Sequence, residues 1–151
     1  RLADADPLSN PDLVLVASQT PRAVICLVSA LHFHELTTQI PRAVHIALPT
    51  GAWRPKLTGY PPLRIVSMSA KSYAAGIEEH KLDDIAVRIY DKEKTIADCF
   101  KFRNKIGRRV AIEALKDYLS QPHFDMDKLL HYAQIDRVAK VMLPYLRALT
   151  A

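Results

Sequence analysis

The sequence lacks the motifs from which most catalytic sites are built. Its four glycines are scattered, so no phosphate-cradling loop of the G-x-G-x-x-G or Walker type is present. No serine lies in a G-x-S-x-G sequence, which excludes the nucleophile elbow of the α/β-hydrolases. No Gly-Ser pair precedes paired aspartates, so the nucleotidyltransferase signature is missing as well. From these absences we predict a protein that is not an enzyme and that needs no cofactor.

Cysteine is also scarce, which bears on metal binding. Cys26 and Cys99 stand apart inside apolar stretches, and without a C-x-x-C pair a zinc knuckle is excluded. We predict that both thiols are reduced and buried. His32 and His34 are two residues apart, a spacing that puts them on nearly opposite faces of a helix, so we predict no metal site there.

Long apolar stretches are missing too. No stretch reaches the roughly 18 apolar residues that a membrane-spanning helix needs, and no signal peptide is visible. We therefore predict a cytoplasmic protein without a membrane partner.

The composition that remains is that of a globular protein, with 49% hydrophobic and 25% charged residues. A chain of 151 residues predicts one domain, which can bury about 70% of its unfolded surface without help from a metal or disulfide. The net charge of +5 is typical of proteins that bind nucleic acid or an acidic protein surface, and also of some basic domains with no such partner. Residues 1–9 are polar and predict a tether, and residues 10–151 predict the single domain.

The periodicity of apolar residues changes along the chain and predicts an α+β fold. The Asn-Pro-Asp sequence at residues 10–12 is typical of a helix start. Further on, alternation of apolar and polar residues predicts strands, and helical spacing prevails after residue 92. We expect a central, mainly antiparallel sheet of about four to five strands and a helical C-terminal third. The expected elements are helices at 10–18 and 27–35, strands at 24–26, 44–48 and 63–68, a hairpin of 77–82 and 85–90 around Asp83-Asp84, and helices from residue 92 onward.

The segment Tyr90–Tyr118 is dense in charge yet regularly patterned, so we expect it to present a surface to a partner. Cations near the C-terminus of a helix are favoured by its dipole, but Arg108 and Arg109 begin the next helix, where the dipole disfavours them. We therefore predict a docking site for phosphates or for an acidic protein patch. Its candidate residues are Lys101, Arg103, Lys105, Arg108 and Arg109.

A second candidate surface is the loop that contains Trp53, Arg54 and Lys56. Exposed tryptophan and arginine are enriched at binding hot spots, so this loop is a candidate for partner or phosphate binding. The alternative is that Trp53 folds over the sheet and belongs to the core.

One enzymatic alternative has some support in the sequence. Glu79 and Lys81 form the Glu-x-Lys half of a magnesium nuclease motif, and Asp83 and Asp84 follow closely. A metal-dependent nuclease or nucleotidyltransferase-like enzyme would require these carboxylates to converge on one metal position. The preceding strand offers no aspartate, so an exposed hairpin is the interpretation that we favour.

Three stretches of the chain resemble AbiEi-type antitoxins, the transcription-regulator halves of type IV toxin–antitoxin operons. They are the Ser29–Thr37 sequence SALHFHELT, the Ile46–Pro49 sequence followed by Arg54-Pro55, and above all the Arg88–Lys101 sequence RIYDKEKTIADCFK. The similarity extends from about Asn10 to Leu149, and the Lys-Thr-Ile-Ala-Asp part is the most specific.

This resemblance implies a two-part protein. An N-terminal winged helix-turn-helix would bind operator DNA and repress the operon, and a C-terminal domain would act as antitoxin against a nucleotidyltransferase-like toxin. The present chain resembles the C-terminal part, with residues 1–9 as the tether from the winged helix-turn-helix. No helix-turn-helix pattern occurs in these 151 residues, so we do not expect them to bind a specific operator alone. The family supplies no catalytic residue, in keeping with the missing motifs.

Overall fold

A computed structural model describes residues 10–55 and 59–150 of the chain, and the predicted tether at residues 1–9 lies outside them. The described part contains eight helices and one five-stranded sheet. In chain order the elements are α1 (Asn10–Gln19), β1 (Val24–Ile25), α2 (Leu27–Phe33), β2 (Val44–Pro49), β3 (Leu63–Met68), α3 (Ala70–Ala74), β4 (Ile77–Leu82), β5 (Ile85–Tyr90), α4 (Lys92–Lys101), α5 (Arg103–Ile106), α6 (Arg108–Leu119), α7 (Met126–Ile135) and α8 (Ala139–Thr150).

The sheet has the strand order β3-β2-β1-β5-β4. The pairs β1–β2 and β4–β5 are antiparallel, whereas β1–β5 and β2–β3 are parallel. The predicted α+β class, with about five strands and a helical C-terminal third, is confirmed. The sheet is mixed, whereas we expected a mainly antiparallel one, because both β2–β3 and β1–β5 are parallel pairs. The long connection after β2 brings the chain back to the starting end of that strand before β3 begins.

The two faces of the sheet pack against different layers. Val44 and Ile46 of β2 belong to a smaller core with Leu13 and Val16 of α1. Ala47, on the opposite face, belongs to the main core, which the C-terminal helices complete. This alternation follows from the two-residue period of a strand.

The predicted β4–β5 hairpin is confirmed. Asp83 and Asp84 occupy its two-residue turn with φ of +50° and +65°, the backbone conformation that a tight hairpin turn demands. Cys26 and Cys99 are both buried, as predicted. The sequence analysis did not predict α3, a single turn capped by the Ser69 hydroxyl, which accepts a hydrogen bond from the Ser72 amide. None of the helices described is long and apolar enough to cross a membrane.

Candidate functional site

An open groove lies at the β3 edge of the sheet, beside α5. It has two adjoining lobes with volumes of about 460 and 290 Å³. His45, Arg64 and Lys105 line both lobes, Arg42 lines the larger lobe, and Arg54 lines the smaller one. We call this feature the cationic groove and define it by these five residues.

The strand register places two of these side chains together. β2 and β3 run parallel, and His45 is paired with Arg64. Ala47 and Val66, two residues further along the same strands, lie in the main core. Since residues two apart share a face of the sheet, His45 and Arg64 lie on the core-facing side. The core ends at this point, because Arg64 is exposed and His45 only half-buried.

Lys105 reaches the groove because the chain turns at the end of α4. Phe102 separates α4 from the single turn of α5, where the Lys105 amide donates a hydrogen bond to the Phe102 carbonyl (2.8 Å). Gly107, with φ of +99°, then separates α5 from α6, and a side chain would be strained in this conformation. Arg108 and Arg109 follow on α6, where they are exposed and line neither lobe.

The groove collects positive charge without a balancing acid. Four of its five side chains are arginine or lysine, and no carboxylate lines either lobe. Within the described ranges, Arg42, Arg64 and Lys105 have no ion-pair partner, while Arg54 donates a hydrogen bond to Ser67 Oγ (2.7 Å). Neighbouring like charges destabilise a fold by roughly a few tenths of a kcal/mol per pair. Folding alone therefore does not favour this arrangement.

His45, which lines both lobes of the groove, is a neutral imidazole at neutral pH. Its backbone amide donates a hydrogen bond to Ser29 Oγ (2.9 Å), and its Nδ1 lies 3.4 Å from the same oxygen. Burial, together with repulsion from Arg64, lowers the pKa of His45 to about 4. At neutral pH the groove therefore contributes four full charges and one uncharged ring that can accept a proton if an anion approaches.

Part of the predicted binding set lies at this groove. Lys105 and Arg54, which are 51 residues apart in sequence, both line the smaller lobe. Trp53 is 76% exposed, so it does not fold over the sheet. Lys56 lies outside the described residues.

The other predicted cations are separated from the groove. Lys101 Nζ donates to the Asp136 carbonyl (3.4 Å) and lines a different cavity of about 550 Å³ together with Lys71 and Arg137. Arg103 donates a hydrogen bond to the Phe100 carbonyl (2.7 Å) at the end of α4. The five cations between residues 101 and 109 are thus divided among several surfaces.

Sequence analysis missed three groove residues, namely Arg42, His45 and Arg64. A signal for one of them existed, because Arg64 shares the period-2 face of Val66 and Met68 and so had to lie where the core ends. No local pattern marks Arg42, and only the pairing of β2 with β3 brings His45 against Arg64.

The sequence that carries the family resemblance is mostly interior. Residues 93–100 of α4 are all buried. Asp91 caps this helix by accepting the Lys94 amide (2.7 Å), and its other oxygen accepts the Tyr132 hydroxyl (2.9 Å). Glu93 accepts the Tyr118 hydroxyl (2.5 Å). The expectation that this segment presents a recognition surface is therefore wrong for residues 93–100, whose polar groups bind to one another and to neighbouring elements of the fold.

A charged cluster lies in the core beneath α4. Lys94 Nζ lies 2.9 and 3.0 Å from the two carboxylate oxygens of Asp98, and 4.0 Å from the centre of the Tyr90 ring. Asp136 accepts the Ser72 hydroxyl through Oδ1 (2.6 Å), while its Oδ2 has no hydrogen-bond partner in the described structure. Burial, and then the Asp136 carboxyl, raise the pKa of Asp98 well above its usual range despite the opposing effect of Lys94. We call Lys94, Asp98 and Asp136 the buried charge cluster.

Glycine is required where the hairpin covers this cluster. Gly76 has φ of +80°, and a Cβ atom there would lie 2.6 Å from the Lys94 Cβ. The Gly76 carbonyl also accepts the Asp91 amide (2.8 Å). The start of β4 can therefore approach the Lys94 side chain only because residue 76 has no side chain.

The residues of the enzymatic alternative do not converge on a metal position. Glu79, Lys81, Asp83 and Asp84 are all exposed on the β4–β5 hairpin. Among residues 10–55 and 59–150, no three histidine, cysteine or acidic side chains are grouped so that they could hold a metal ion. His34 instead contacts the Tyr90 carbonyl through Nε2 (2.7 Å).

Comparison with protein families and with curated proteins adds no relative to this description. No protein-family model matches the chain, and the curated proteins contain no match to it. The functional assignment therefore depends on the sequence resemblance and on the geometry described above.

Proposed function

We propose that the chain is the antitoxin domain of an AbiEi-type regulator, which acts in the cytoplasm by binding and not by catalysis. Its functional partner is a nucleotidyltransferase-like toxin, and operator DNA is bound by a winged helix-turn-helix that precedes the domain. The observation that carries this proposal is the Arg88–Lys101 sequence, the most specific part of the resemblance to that family.

The side chains of that sequence stabilise the packing of α4 within the fold. Asp91, Glu93, Lys94 and Asp98 each contact a partner inside the domain, so exchanging any of them would disturb the packing of α4. A sequence with this role marks a shared scaffold, and such a scaffold is where a family resemblance should be strongest. The surface for a partner then lies elsewhere, and the acid-free cationic groove is the surface that supports binding best.

Co-expression tests the antitoxin proposal. The 151-residue chain is expressed with a nucleotidyltransferase-like toxin of a type IV operon, and growth is followed after toxin induction. We expect the chain to restore growth. Persistent growth arrest in cells that contain the soluble chain would contradict the proposal.

A matched variant separates binding from catalysis in the same assay. Glu79→Gln combined with Asp83→Asn removes two acids of the enzymatic alternative from an exposed hairpin, so the fold is retained. A binding domain restores growth equally well with these substitutions. Loss of rescue by this variant, when it is present at normal abundance, would favour a metal-dependent enzyme instead.

A further inference from the structure

We propose that the cationic groove is a binding site for a nucleoside polyphosphate, with the phosphates held by Arg42, Arg64 and Lys105. This inference goes beyond the proposed function and does not depend on it, because it concerns the ligand of one surface and not the neutralisation of a toxin.

The charge of the groove selects a multiply charged anion. Three arginines and one lysine come together from two loops, β3 and α5, and no acid among the lining residues neutralises them. A single carboxylate would leave most of this charge unbalanced, whereas a polyphosphate carries several negative charges on one small group. Guanidinium groups also match phosphate oxygens in bidentate geometry.

The size and floor of the groove fit a nucleotide. Its lobes of about 460 and 290 Å³ lie at the scale of small-molecule sites. Between the cations, the larger lobe is lined by Val28, Ile40 and Ile106, which offer apolar contact to a base or sugar. Ile40 is 60% exposed, so its side chain is open to contact with a base or sugar.

A nucleic-acid strand fits the charge distribution less well. A strand is bound by cations spread along a continuous path. Here Lys101, with Lys71 and Arg137, lines a different cavity, and Arg108 and Arg109 line neither lobe. The positive charge of the groove is confined to one concave region.

A bound ligand would change the pKa of His45, so the titration of this residue reports on binding. Ser29 Oγ of α2 lies 3.4 Å from the Nδ1 atom of His45, and the charged residues that line the lobes with His45 are Arg42, Arg54, Arg64 and Lys105. These are four cations and no acid. A bound phosphate would neutralise that repulsion and favour the protonated imidazole, so the pKa of His45 should rise above its value of about 4.

The first experiment measures binding by calorimetry. The chain is titrated with ATP, AMP, inorganic phosphate, a single-stranded oligonucleotide and a hexaglutamate peptide. We expect ATP to bind more tightly than AMP or phosphate, and its affinity to fall as the salt concentration rises. If ATP does not bind, the proposal is overturned: binding of the oligonucleotide alone would indicate a nucleic-acid surface, and binding of hexaglutamate alone an acidic protein partner.

Matched variants locate the site. Arg64→Gln removes one groove cation, and Arg147→Gln removes an exposed cation of α8 that lines neither lobe. Loss of one charge-assisted contact should weaken ATP binding about ten-fold in Arg64→Gln, and leave Arg147→Gln close to the unsubstituted chain. Equal losses in both variants would show that only net charge matters, and would overturn the site.

The second measurement is the NMR titration of the His45 ring with and without ATP. An upward shift of its pKa supports the site when it requires about ten-fold more ATP in the Arg64→Gln variant, whose circular dichroism spectrum shows that it is folded. An unchanged His45 titration in saturating ATP would place the ligand elsewhere and overturn the assignment.

Discussion

The buried charge cluster and the cationic groove differ in what balances their charge. In the cluster, the Lys94 ammonium contacts both oxygens of Asp98 and lies over the Tyr90 ring, without access to water. In the groove, Arg64 and its neighbours face solvent with no acid beside them. The first set of charges is balanced within the fold, whereas the second is left unbalanced on its surface.

This difference distinguishes the residues that stabilise the fold from the residues that remain available to bind a ligand. A buried ion is stable only when partners compensate for the lost water, so the cluster depends on every member. A surface cation without a partner loses little water and remains available to an external anion. Substitutions in the cluster should therefore affect stability, and substitutions in the groove should affect binding. The predictions below test that division, from the largest expected effect to the smallest.

Lys94→Met should cause the largest loss of stability. It removes the only cation that contacts Asp98 in the described structure, and leaves that carboxyl and Asp136 in the core. Removing one partner of a buried ion pair costs about 3–5 kcal/mol. The free energy of unfolding in urea measures this loss.

Lys92→Met is the matched control, because it makes the same change two residues away on α4. Lys92 is only partly buried and donates a hydrogen bond to Gln121 Oε1 (3.2 Å), so we expect a loss of about 1 kcal/mol or less. Equal losses in the two variants would refute a special role for Lys94.

The buried charge cluster should make the protein less stable as the pH rises. The pKa of Asp98 is raised in the folded state, chiefly by burial, so folded protein retains a proton that the unfolded chain releases above its usual pKa of 3.8. The resulting stabilisation is complete below that value and is lost as the pH rises through the folded pKa. This contribution is measured as the difference in unfolding midpoint between the unsubstituted chain and Asp98→Asn, because His34 and His45 titrate with the opposite sign below a pH of about 6.5. The difference should move against the unsubstituted chain as the pH rises from about 5 to about 9.

The groove should give the opposite dependence on pH. The pKa of His45 is lowered from 6.5 to about 4, so the unfolded chain takes up a proton in this interval and the folded chain does not. Stability should therefore fall as the pH decreases from about 6.5 to about 4, by about 1–3 kcal/mol. His34, whose pKa is also lowered by burial, contributes in the same direction, so the contribution of His45 is obtained by comparison with His45→Gln. An identical acid slope in that variant would contradict the assignment.

Local patterns were sufficient to predict much of the fold. The limits of β3 and of the β4–β5 hairpin follow from apolar alternation and from the Asp83-Asp84 turn, which are properties of neighbouring residues. The parallel pairing of β2 with β3 could not be predicted in this way, because it depends on the path of the long connection between them. The single turn of α3 was missed because five residues are too few to show a helical period.

The candidate site was predictable only in part, for the same reason. Lys105 and Arg54 stood out as members of charged local segments. Arg42 and His45 did not, because each is a single polar residue among apolar ones. Each becomes part of a charged groove only through residues that are distant in sequence. The role of α4 was misjudged because a charged helix usually faces solvent. Here Lys94 and Asp98 pair with each other inside the core, and Glu93 accepts a hydrogen bond from Tyr118 of α6.

The smallest expected effect is also the one that separates the two regions most clearly. Arg64→Gln removes one of the uncompensated charges, so it should leave the free energy of unfolding unchanged or raise it by a few tenths of a kcal/mol, roughly the strength of one repulsive surface pair. Added salt screens repulsion, so the difference between variant and unsubstituted chain should shrink as sodium chloride is raised to about 1 M. Arg147→Gln is the control, and should show no such gain. A clear loss of stability in Arg64→Gln would mean that this arginine has a structural role, and the groove would then belong with the buried charge cluster as part of the scaffold.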